Sequence, residues 1–316
     1  MSAGDEILVR TVGLTKKFGS FAAVEDLNLN IKKGQSYGFL GPNGAGKSTT
    51  IRMLTGFMRP TAGDIYIMGK DLSMNHNVLA RVGIVPDTYG FYPLLNAVEH
   101  LEFYGRLTGM DRKALSGRIP EVLETVGLDK DRWKARVGTY SHGMRQRLCI
   151  AQALIHDPEL IFLDEPTTGL DPCGSYETRE LIKKLNKNGM TVFVSSHILS
   201  EVEDMCTHVG IINRGHLLME DSIENLKKMS SGRERKVIAR VENMNDSIKK
   251  AIEKLRGVSG VSVYEGVNLE IEITKKADIA SISAAIIGAG GELTSFYEYR
   301  PSLENIFLQL TGGDAQ

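Results

Sequence analysis

The chain has 316 residues, of which 42% are hydrophobic and 24% charged, and its formal net charge is −1. Because one hydrophobic core rarely grows to that length, we expect a main domain and a smaller one. The near-neutral charge gives no support to a nucleic-acid partner, which a basic excess would attract. The N-terminus lacks the basic and apolar regions of a signal peptide, and no run of about 18 apolar residues could cross a bilayer. We therefore expect a cytoplasmic chain that reaches a membrane only through another protein.

Two stretches near the N-terminus, 7–12 and 24–31, alternate apolar and polar residues. This alternation predicts strands of an antiparallel sheet with one face in water. Phe18 lies in the segment between them. Its ring could stack on a flat base, but an exposed Phe in a strand connection is equally common.

A glycine-rich loop follows the apolar run 37–40, and it fits the pattern G-x-x-x-x-G-K-[ST] of a phosphate-binding loop between a strand and a helix. Positive φ at its glycines would let backbone N–H groups point at phosphate oxygens, and the helix N-terminus after it is positive. Lys47 would reach the β- and γ-phosphates, and the Ser48 hydroxyl would bind Mg²⁺. The candidate nucleotide-binding residues of the loop 41–49 are Asn43, Gly44, Ala45, Gly46, Lys47, Ser48 and Thr49.

Short strands at 63–69 and 81–87 precede a helical segment from about 96 to 153, which we interpret as an insertion into an α/β core. Its last helix begins at Ser141, a residue suited to cap it. A helix N-terminus with Ser141 and Gly143 beside it can also receive a phosphate. An ordinary capped helix is the alternative.

Leu160-Ile161-Phe162-Leu163 reads as a central parallel strand, and two carboxylates, Asp164 and Glu165, follow it. Ligands of open α/β sheets bind at this end of the strands. Asp164 can hold Mg²⁺ through its hydration shell, and Glu165 can deprotonate an attacking water. A second buried strand, 191–196, ends next to His197, whose imidazole could donate a hydrogen bond to a γ-phosphate. We predict that these side chains meet at one sheet edge.

The end of the chain has a different pattern. A hairpin turn at 211–215 and a helix at 221–229 lead to a polar segment, 230–236, where we place the boundary between domains 1–229 and 230–316. The predicted order beyond it is βαββαβ, which is typical of a ferredoxin-like α+β unit. Its strands are 237–241, 261–264, 269–273 and 293–299, its helices 246–255 and 277–287, and a last helix is predicted at 302–310. We interpret this domain as a regulatory or assembly module.

These motifs together resemble the ATP-binding subunit of ABC transporters over about residues 7–220. The loop 41–49 looks like the family's Walker A, 160–165 its Walker B with the catalytic glutamate, and 141–146 its signature sequence. Gly169-Leu170-Asp171 resembles its D-loop, His197 its switch histidine, and Phe18 its adenine-stacking aromatic. The resemblance implies an α/β P-loop NTPase core with an antiparallel β subdomain and a helical insertion. The stretches 140–147 and 302–307 are similar to single-cassette subunits of the ABC-2 type exporters.

The resemblance also implies an ATPase that uses ATP and Mg²⁺. Its catalytic residues would be Glu165, His197 and Lys47, and its metal would be held by Ser48, Asp164 and Asp87. Two cassettes, this chain and a second copy or a homologous subunit, would pair head to tail, with Ser141, Gly143 and Asp171 closing on the partner's nucleotide. The pair would drive a polytopic membrane permease from the inner face of the cell membrane.

Two positions depart from the family pattern. Asp87 stands where the family usually has glutamine, and His142 replaces the first glycine of the signature. Asp87 can still give an oxygen to Mg²⁺ or its water, although it adds a negative charge near the triphosphate. Ser141 and Gly143 are retained, so phosphate contact is still expected.

Two rival functions remain at this point. A soluble ABC ATPase that acts on ribosomes or DNA would usually carry two cassettes or a long coiled-coil insertion, and this chain has neither pattern. A small-molecule kinase would leave the second anion-binding helix start and the acid pair without a purpose. A transport ATPase explains both features.

Overall fold

The computed structural model describes residues 6–88, 90–226, 235–274 and 276–299. The chain divides into two compact units, Met1–Ile223 and Glu224–Gln316. The predicted boundary segment 230–236 lies mostly outside the described residues, so its position stays a prediction. Within the described part of the chain, no helix is long and apolar enough to span a membrane.

The first unit combines two sheets with helices. Its strands are β1 (Ile7–Phe18), β2 (Phe21–Leu27), β3 (Asn30–Lys32), β4 (Ser36–Leu40), β5 (Ala62–Ile67), β6 (Lys70–Asp71), β7 (Val82–Val85), β8 (Leu160–Asp164), β9 (Thr191–Ser196), β10 (His208–Asn213) and β11 (His216–Ser222). Its α-helices are α1 (Lys47–Leu54), α2 (Ala97–Leu107), α3 (Arg112–Thr125), α4 (His142–Leu154), α5 (Pro172–Lys187) and α6 (Leu199–Met205). Short 3-10 helices span His76–Arg81, Lys130–Arg132 and Val137–Thr139.

The central sheet has the order β11-β10-β4-β9-β8-β7, and all of its pairs are parallel except β10 with β11. Every residue of β4, β8 and β9 is buried, as expected for parallel strands covered on both faces. Phe193 of β9 packs on Tyr37, Phe39 and Phe162 of the flanking strands, with ring centroids 5.2 to 5.5 Å apart. Full burial of each such side chain contributes about 1.5–3 kcal/mol to the stability of the fold. The loops at the edge of this sheet are therefore attached to a stable core.

An antiparallel sheet of order β2-β1-β5-β6, with β3 also paired to β1, forms the predicted β subdomain. The single strand predicted at 24–31 is wrong, because β2 ends at Leu27 and β3 begins at Asn30. At the break the Thr11 hydroxyl donates to the Leu27 carbonyl at 2.8 Å and accepts from the Leu29 N–H at 2.9 Å. A side chain of β1 thus satisfies the backbone groups that the break would leave unpaired.

Side-chain caps set the helix starts in the region predicted as a helical insertion. Asn96 and Glu99 form a capping box at α2, and Asp111 caps α3. Ser141 caps α4, as predicted, by accepting from the Met144 N–H at 3.2 Å.

The helix predicted at 221–229 is wrong in its first turn, because β11 continues to Ser222 through pairing with β10. Residues 223–226 are helical, and 227–229 lie outside the described residues.

The second unit has strands β12 (Arg235–Val241), β13 (Val258–Tyr264), β14 (Asn268–Ile273) and β15 (Leu293–Tyr299), and helices α7 (Asp246–Glu253) and α8 (Ile279–Gly288). The sheet is antiparallel, in the order β13-β14-β12-β15. Ile248, Ile252, Ile282 and Ile286 of the helices pack on the inward residues of the strands. The ferredoxin-like order βαββαβ is confirmed, and the helix predicted at 302–310 lies outside the described residues.

Candidate functional site

The order of the central sheet brings the predicted site residues to one edge. The glycine-rich loop leaves β4, Asp164 ends β8, His197 follows β9, and Asp87 comes two residues after β7. These four strands are parallel neighbours, so their carboxyl ends meet at the same edge. The meeting predicted from the strand pattern is therefore confirmed.

The loop has the backbone conformation predicted for a phosphate cradle. Gly44 has φ 80° and Gly46 φ 109°, in the region that L side chains rarely adopt. A Cβ at Gly46 would also lie 2.5 Å from the Ala23 carbonyl oxygen, so the fold requires glycine there. Gly46 is the N-cap residue of α1, and residues 47–49 of the first turn of this helix line the space in front of the loop.

A cleft of about 560 Å³ lies in front of this loop. It is lined by Phe18, Phe21, Ala23, Asn43, Gly44, Gly46, Lys47, Ser48, Thr49, Asp87, Glu165, Thr168 and His197. Ala45 differs from its neighbours, since it is buried and its N–H donates to the Pro42 carbonyl at 3.1 Å. We call this space the nucleotide cleft.

The Lys47 ammonium is held inside the cleft by three oxygens. It donates to the carbonyls of Gly41 at 2.8 Å and Pro42 at 3.2 Å, and it pairs with Glu165 Oε1 at 3.2 Å. Only 5% of the side chain is exposed. The charge is thus fixed at the floor of the loop, close to the predicted base.

Glu165 links the loop to His197. His197 Nδ1 lies 2.8 Å from Glu165 Oε2, and Thr168 Oγ1 donates to the same oxygen at 3.2 Å. Because a carboxylate only accepts hydrogen bonds, Nδ1 carries the proton in this contact. The Glu165 backbone has φ 50°, and its N–H donates to Ser195 Oγ at 2.9 Å. Such a conformation is costly for a glutamate and aims its carboxylate into the cleft.

Asp164, the last residue of β8, is 4% exposed and directly precedes Glu165. Ser195 Oγ donates to Asp164 Oδ1 at 2.6 Å, and the Ser48 hydroxyl donates to the same carboxylate. Burial raises the pKa of the Asp164 carboxyl above its usual value, while these two hydrogen bonds act in the opposite direction. A cation beside Asp164 would offset the cost of keeping this carboxylate charged.

The predicted signature residues lie elsewhere in the first unit. Ser141, Gly143 and Asp171 line a second cleft of about 430 Å³. Among the described residues, the linings of this signature cleft and the nucleotide cleft have no member in common. Asp171 Oδ1 caps α5 through the Gly174 N–H at 2.7 Å, and the His142 ring lies beside Gly169 of the same cleft. Ser141 and Gly143 therefore do not line the cleft in front of the glycine-rich loop of their own chain.

Sequence reasoning missed Phe21, Ala23 and Thr168 among the residues that line the nucleotide cleft. Phe21 pairs with Phe18 across the β1–β2 hairpin, and both rings are at least half exposed, at 63% and 50%. Two aromatics separated by a Gly-Ser turn are a signal that could have indicated this pair. No sequence pattern indicates Thr168, because its contact with Glu165 depends on the turn after β8.

Comparisons with known proteins define the class. Residues 24–168 match the family model described as ABC transporter, and residues 222–311 match that of the ATP-binding protein DrrA1-3-like C-terminal domain. The chain is 40% identical over 309 residues to the bacitracin transport ATP-binding protein BcrA of Bacillus licheniformis, covering 97% of this chain and 98% of that protein. It is 36% identical to the linearmycin resistance ATP-binding protein LnrL of Bacillus subtilis, covering 96% and 98%.

A solved structure agrees with the sequence relatives. The dimeric structure of a post-hydrolysis state of the ATP-binding cassette MJ0796, bound to ADP and Pi, matches with a TM-score of 0.62 and 28% identity. The match covers 68% of this chain and 99% of that one. The chain belongs to the ATP-binding proteins of ABC transporters, and it is an ATP-binding, ATP-hydrolysing transport subunit. The predicted family, fold class and activity are confirmed, and the ribosome or DNA alternative has no support.

Proposed function

We propose that this chain powers export through a separate polytopic membrane permease, as one of two cassettes that close head to tail over ATP. BcrA and LnrL, which match over nearly the whole chain, are named for bacitracin transport and linearmycin resistance. One name specifies transport and the other resistance, and export of a compound from the cell would account for both. The chain would then work at the inner face of the membrane, and its second unit would serve assembly or regulation.

The separation of the nucleotide and signature clefts is the observation that supports a head-to-tail dimer. Lys47, Ser48 and Glu165 line one, whereas Ser141 and Gly143 line the other. A phosphate chain in the first cleft can be covered by a signature helix only if a second subunit supplies it. The partner is a second copy or a homologous subunit.

The proposed chemistry follows from the contacts of Glu165. When a triphosphate occupies the cleft, its charge competes with Glu165 for the Lys47 ammonium, 3.2 Å from the carboxylate. Glu165 is then free to accept a proton from a water that attacks the γ-phosphate. His197 keeps the carboxylate aimed through Nδ1. A neutral imidazole has only one N–H, so His197 contacts both Glu165 and the phosphate as a donor only when protonated.

The donor set suits Mg²⁺. Ser48, Asp164 and Asp87 offer a hydroxyl and two carboxylates, which are hard oxygen ligands, beside the phosphate-binding loop. We propose that Ser48 and Asp164 hold the ion or its waters and that Asp87 acts at its outer side. The ion would neutralise charge on the phosphates during transfer.

Asp87→Gln tests that assignment. The Asp87 charge contributes to the raised pKa of Asp164, so removing it relieves repulsion near the phosphates. We expect ATP to bind more tightly without Mg²⁺, whereas the Mg²⁺ concentration for half-maximal hydrolysis rises because an oxygen ligand is weakened. A Mg²⁺ titration of ATPase activity, with metal-free ATP binding as the second readout, checks both. An unchanged titration would exclude Asp87 from the metal site.

Phe18→Ala tests base stacking, with Phe21→Ala as its matched control. Loss of a stacking ring costs about 1–3 kcal/mol per base, so we expect clearly weaker ATP binding for Phe18→Ala. Lys16 Nζ lies 5.3 Å from the Phe18 ring centroid and steadies that ring, which favours Phe18 over the more exposed Phe21. Titration with ATP and with inorganic tripolyphosphate separates base from phosphate binding. A larger loss for Phe21→Ala would transfer the role to Phe21.

Co-purification tests the transport proposal. The full-length chain, tagged and extracted with mild detergent from its native cells, should bring down a polytopic membrane protein. ATP should change the stability of that complex, because closure of the cassettes alters the surface that the permease contacts. Recovery with ribosomes and without a membrane protein would contradict the proposal.

A further inference from the structure

A buried carboxylate outside the nucleotide cleft joins the segments that carry the proposed catalytic residues. Glu201 lies in α6 and is 8% exposed. Its Oε2 accepts from Thr167 Oγ1 at 2.5 Å, and its Oε1 accepts from Ser175 Oγ at 2.9 Å. Arg179 Nη1 lies 3.4 Å from Oε1 and 2.7 Å from Ser175 Oγ. Both carboxylate oxygens are therefore hydrogen-bonded, and Arg179 supplies the opposite charge that a buried acid requires.

Each partner of Glu201 belongs to a different part of the site. Thr167 is two residues after Glu165, and its carbonyl accepts from the Leu170 N–H at 3.2 Å in the turn that leads to Asp171. Ser175 lies in the first turn of α5, which Asp171 caps. Glu201 itself follows His197 by four residues. The Glu201 side chain thus connects the turn after Glu165, helix α5 and the segment after His197.

We infer that Glu201 is a positioning residue that keeps Glu165 and Asp171 in fixed positions relative to His197. The inference rests on the proposed roles of those three residues. The 2.8 Å contact between His197 Nδ1 and Glu165 Oε2 requires the segments after β8 and β9 to stay fixed relative to each other. Within the described residues, Glu201 is the buried acid that receives hydrogen bonds from both the turn after β8 and α5. A shift of about 1 Å in such a site can cost 100-fold in rate.

Three single variants, one double variant and one control test this role in the whole chain. Glu201→Ala removes the carboxylate that accepts from both hydroxyls, Glu201→Gln keeps an acceptor and a similar shape, and Thr167→Val removes one donor. Asp204→Ala is the matched control, since Asp204 lies on the same helix and pairs with the same Arg179 at 3.0 Å but is not the acceptor for Thr167 and Ser175. Measurements are kcat and KM for ATP, together with the melting temperature of each variant.

We expect Glu201→Ala to lower kcat by about 10- to 100-fold with KM for ATP unchanged, because the nucleotide cleft does not contain it. Glu201→Gln should recover most of that loss, Thr167→Val should lower kcat less than Glu201→Ala, and the double variant Thr167→Val/Glu201→Ala should equal Glu201→Ala alone. Asp204→Ala should retain normal kcat.

A normal kcat for Glu201→Ala, or an equal loss in Asp204→Ala, would overturn the inference. So would a change confined to KM or to the melting temperature. If Glu201→Ala does not fold, Thr167→Val decides, and normal kcat in that variant overturns the role. The outcome is separable from the proposed chemistry, because normal turnover in Glu165→Gln would remove the base whatever Glu201 does.

Discussion

Glu165→Gln is expected to retain ATP binding and to lose turnover, with a fall of about 10²- to 10⁴-fold in kcat. The amide has the shape of the carboxylate but no basicity, so it cannot take the proton of the attacking water. Loss of the charge also removes the ion pair with Lys47. The freed ammonium is then available to the phosphates, so affinity for ATP should stay the same or rise.

The variant should also accumulate as an ATP-bound dimer, which size-exclusion chromatography with bound-nucleotide analysis detects. Glu159→Gln is the matched control, because Glu159 precedes β8 at the opposite end from Asp164 and pairs with Lys33 at 3.5 Å on the surface. It should hydrolyse ATP at the normal rate. Normal turnover in Glu165→Gln would show that another group is the base.

Lys47→Ala should act on binding first. The Lys47 side chain is 5% exposed, and the two carbonyl contacts of its ammonium also hold the start of the loop in shape. A hydrogen bond to a charged group contributes about 1.5–3 kcal/mol, which corresponds to a rise of about 10- to 140-fold in Kd for ATP. Lys47→Arg should not restore affinity, since the planar guanidinium is larger than the space that the ammonium fills.

Calorimetric titration with ATP measures this effect directly. Lys70→Ala is a suitable control, because Lys70 lies exposed in β6 and is absent from the lining of the nucleotide cleft described above. Its Kd for ATP should equal that of the unaltered chain. Equal affinity in Lys47→Ala would mean that backbone N–H groups alone hold the phosphates.

The nucleotide side of the site was predictable because its signals are local. The spacing of Gly44, Gly46 and Lys47 requires only a loop between a strand and a helix, and the acids after 160–163 need only the end of a buried strand. Because the strands are parallel, their carboxyl ends then meet at one edge of the sheet. The contact between Glu165 and His197 follows from β8 pairing with β9.

The features that sequence reasoning missed depend on contacts between distant residues. The break between β2 and β3 needs Thr11 to satisfy backbone groups sixteen and eighteen residues further along. The extension of β11 to Ser222 depends on pairing with His208, and this long-range contact replaces the first turn of the helix predicted at 221–229. The cluster around Glu201 joins three segments through two hydroxyls, and neither Thr167 nor Ser175 stands out by type or spacing.

A mixture of two inactive variants tests whether each ATP site is shared between two subunits. Lys47→Ala disables the nucleotide cleft, and Gly143→Asp places a negative charge on the signature helix. A Cβ at Gly143 meets nothing within 4 Å, so this substitution should leave the fold intact. Each variant alone should be inactive. In a mixed dimer one site combines the intact nucleotide cleft of one subunit with the intact signature of the other. We expect the mixture to hydrolyse ATP when neither variant alone does, and a mixture that stays inactive would rule out a site shared between two subunits.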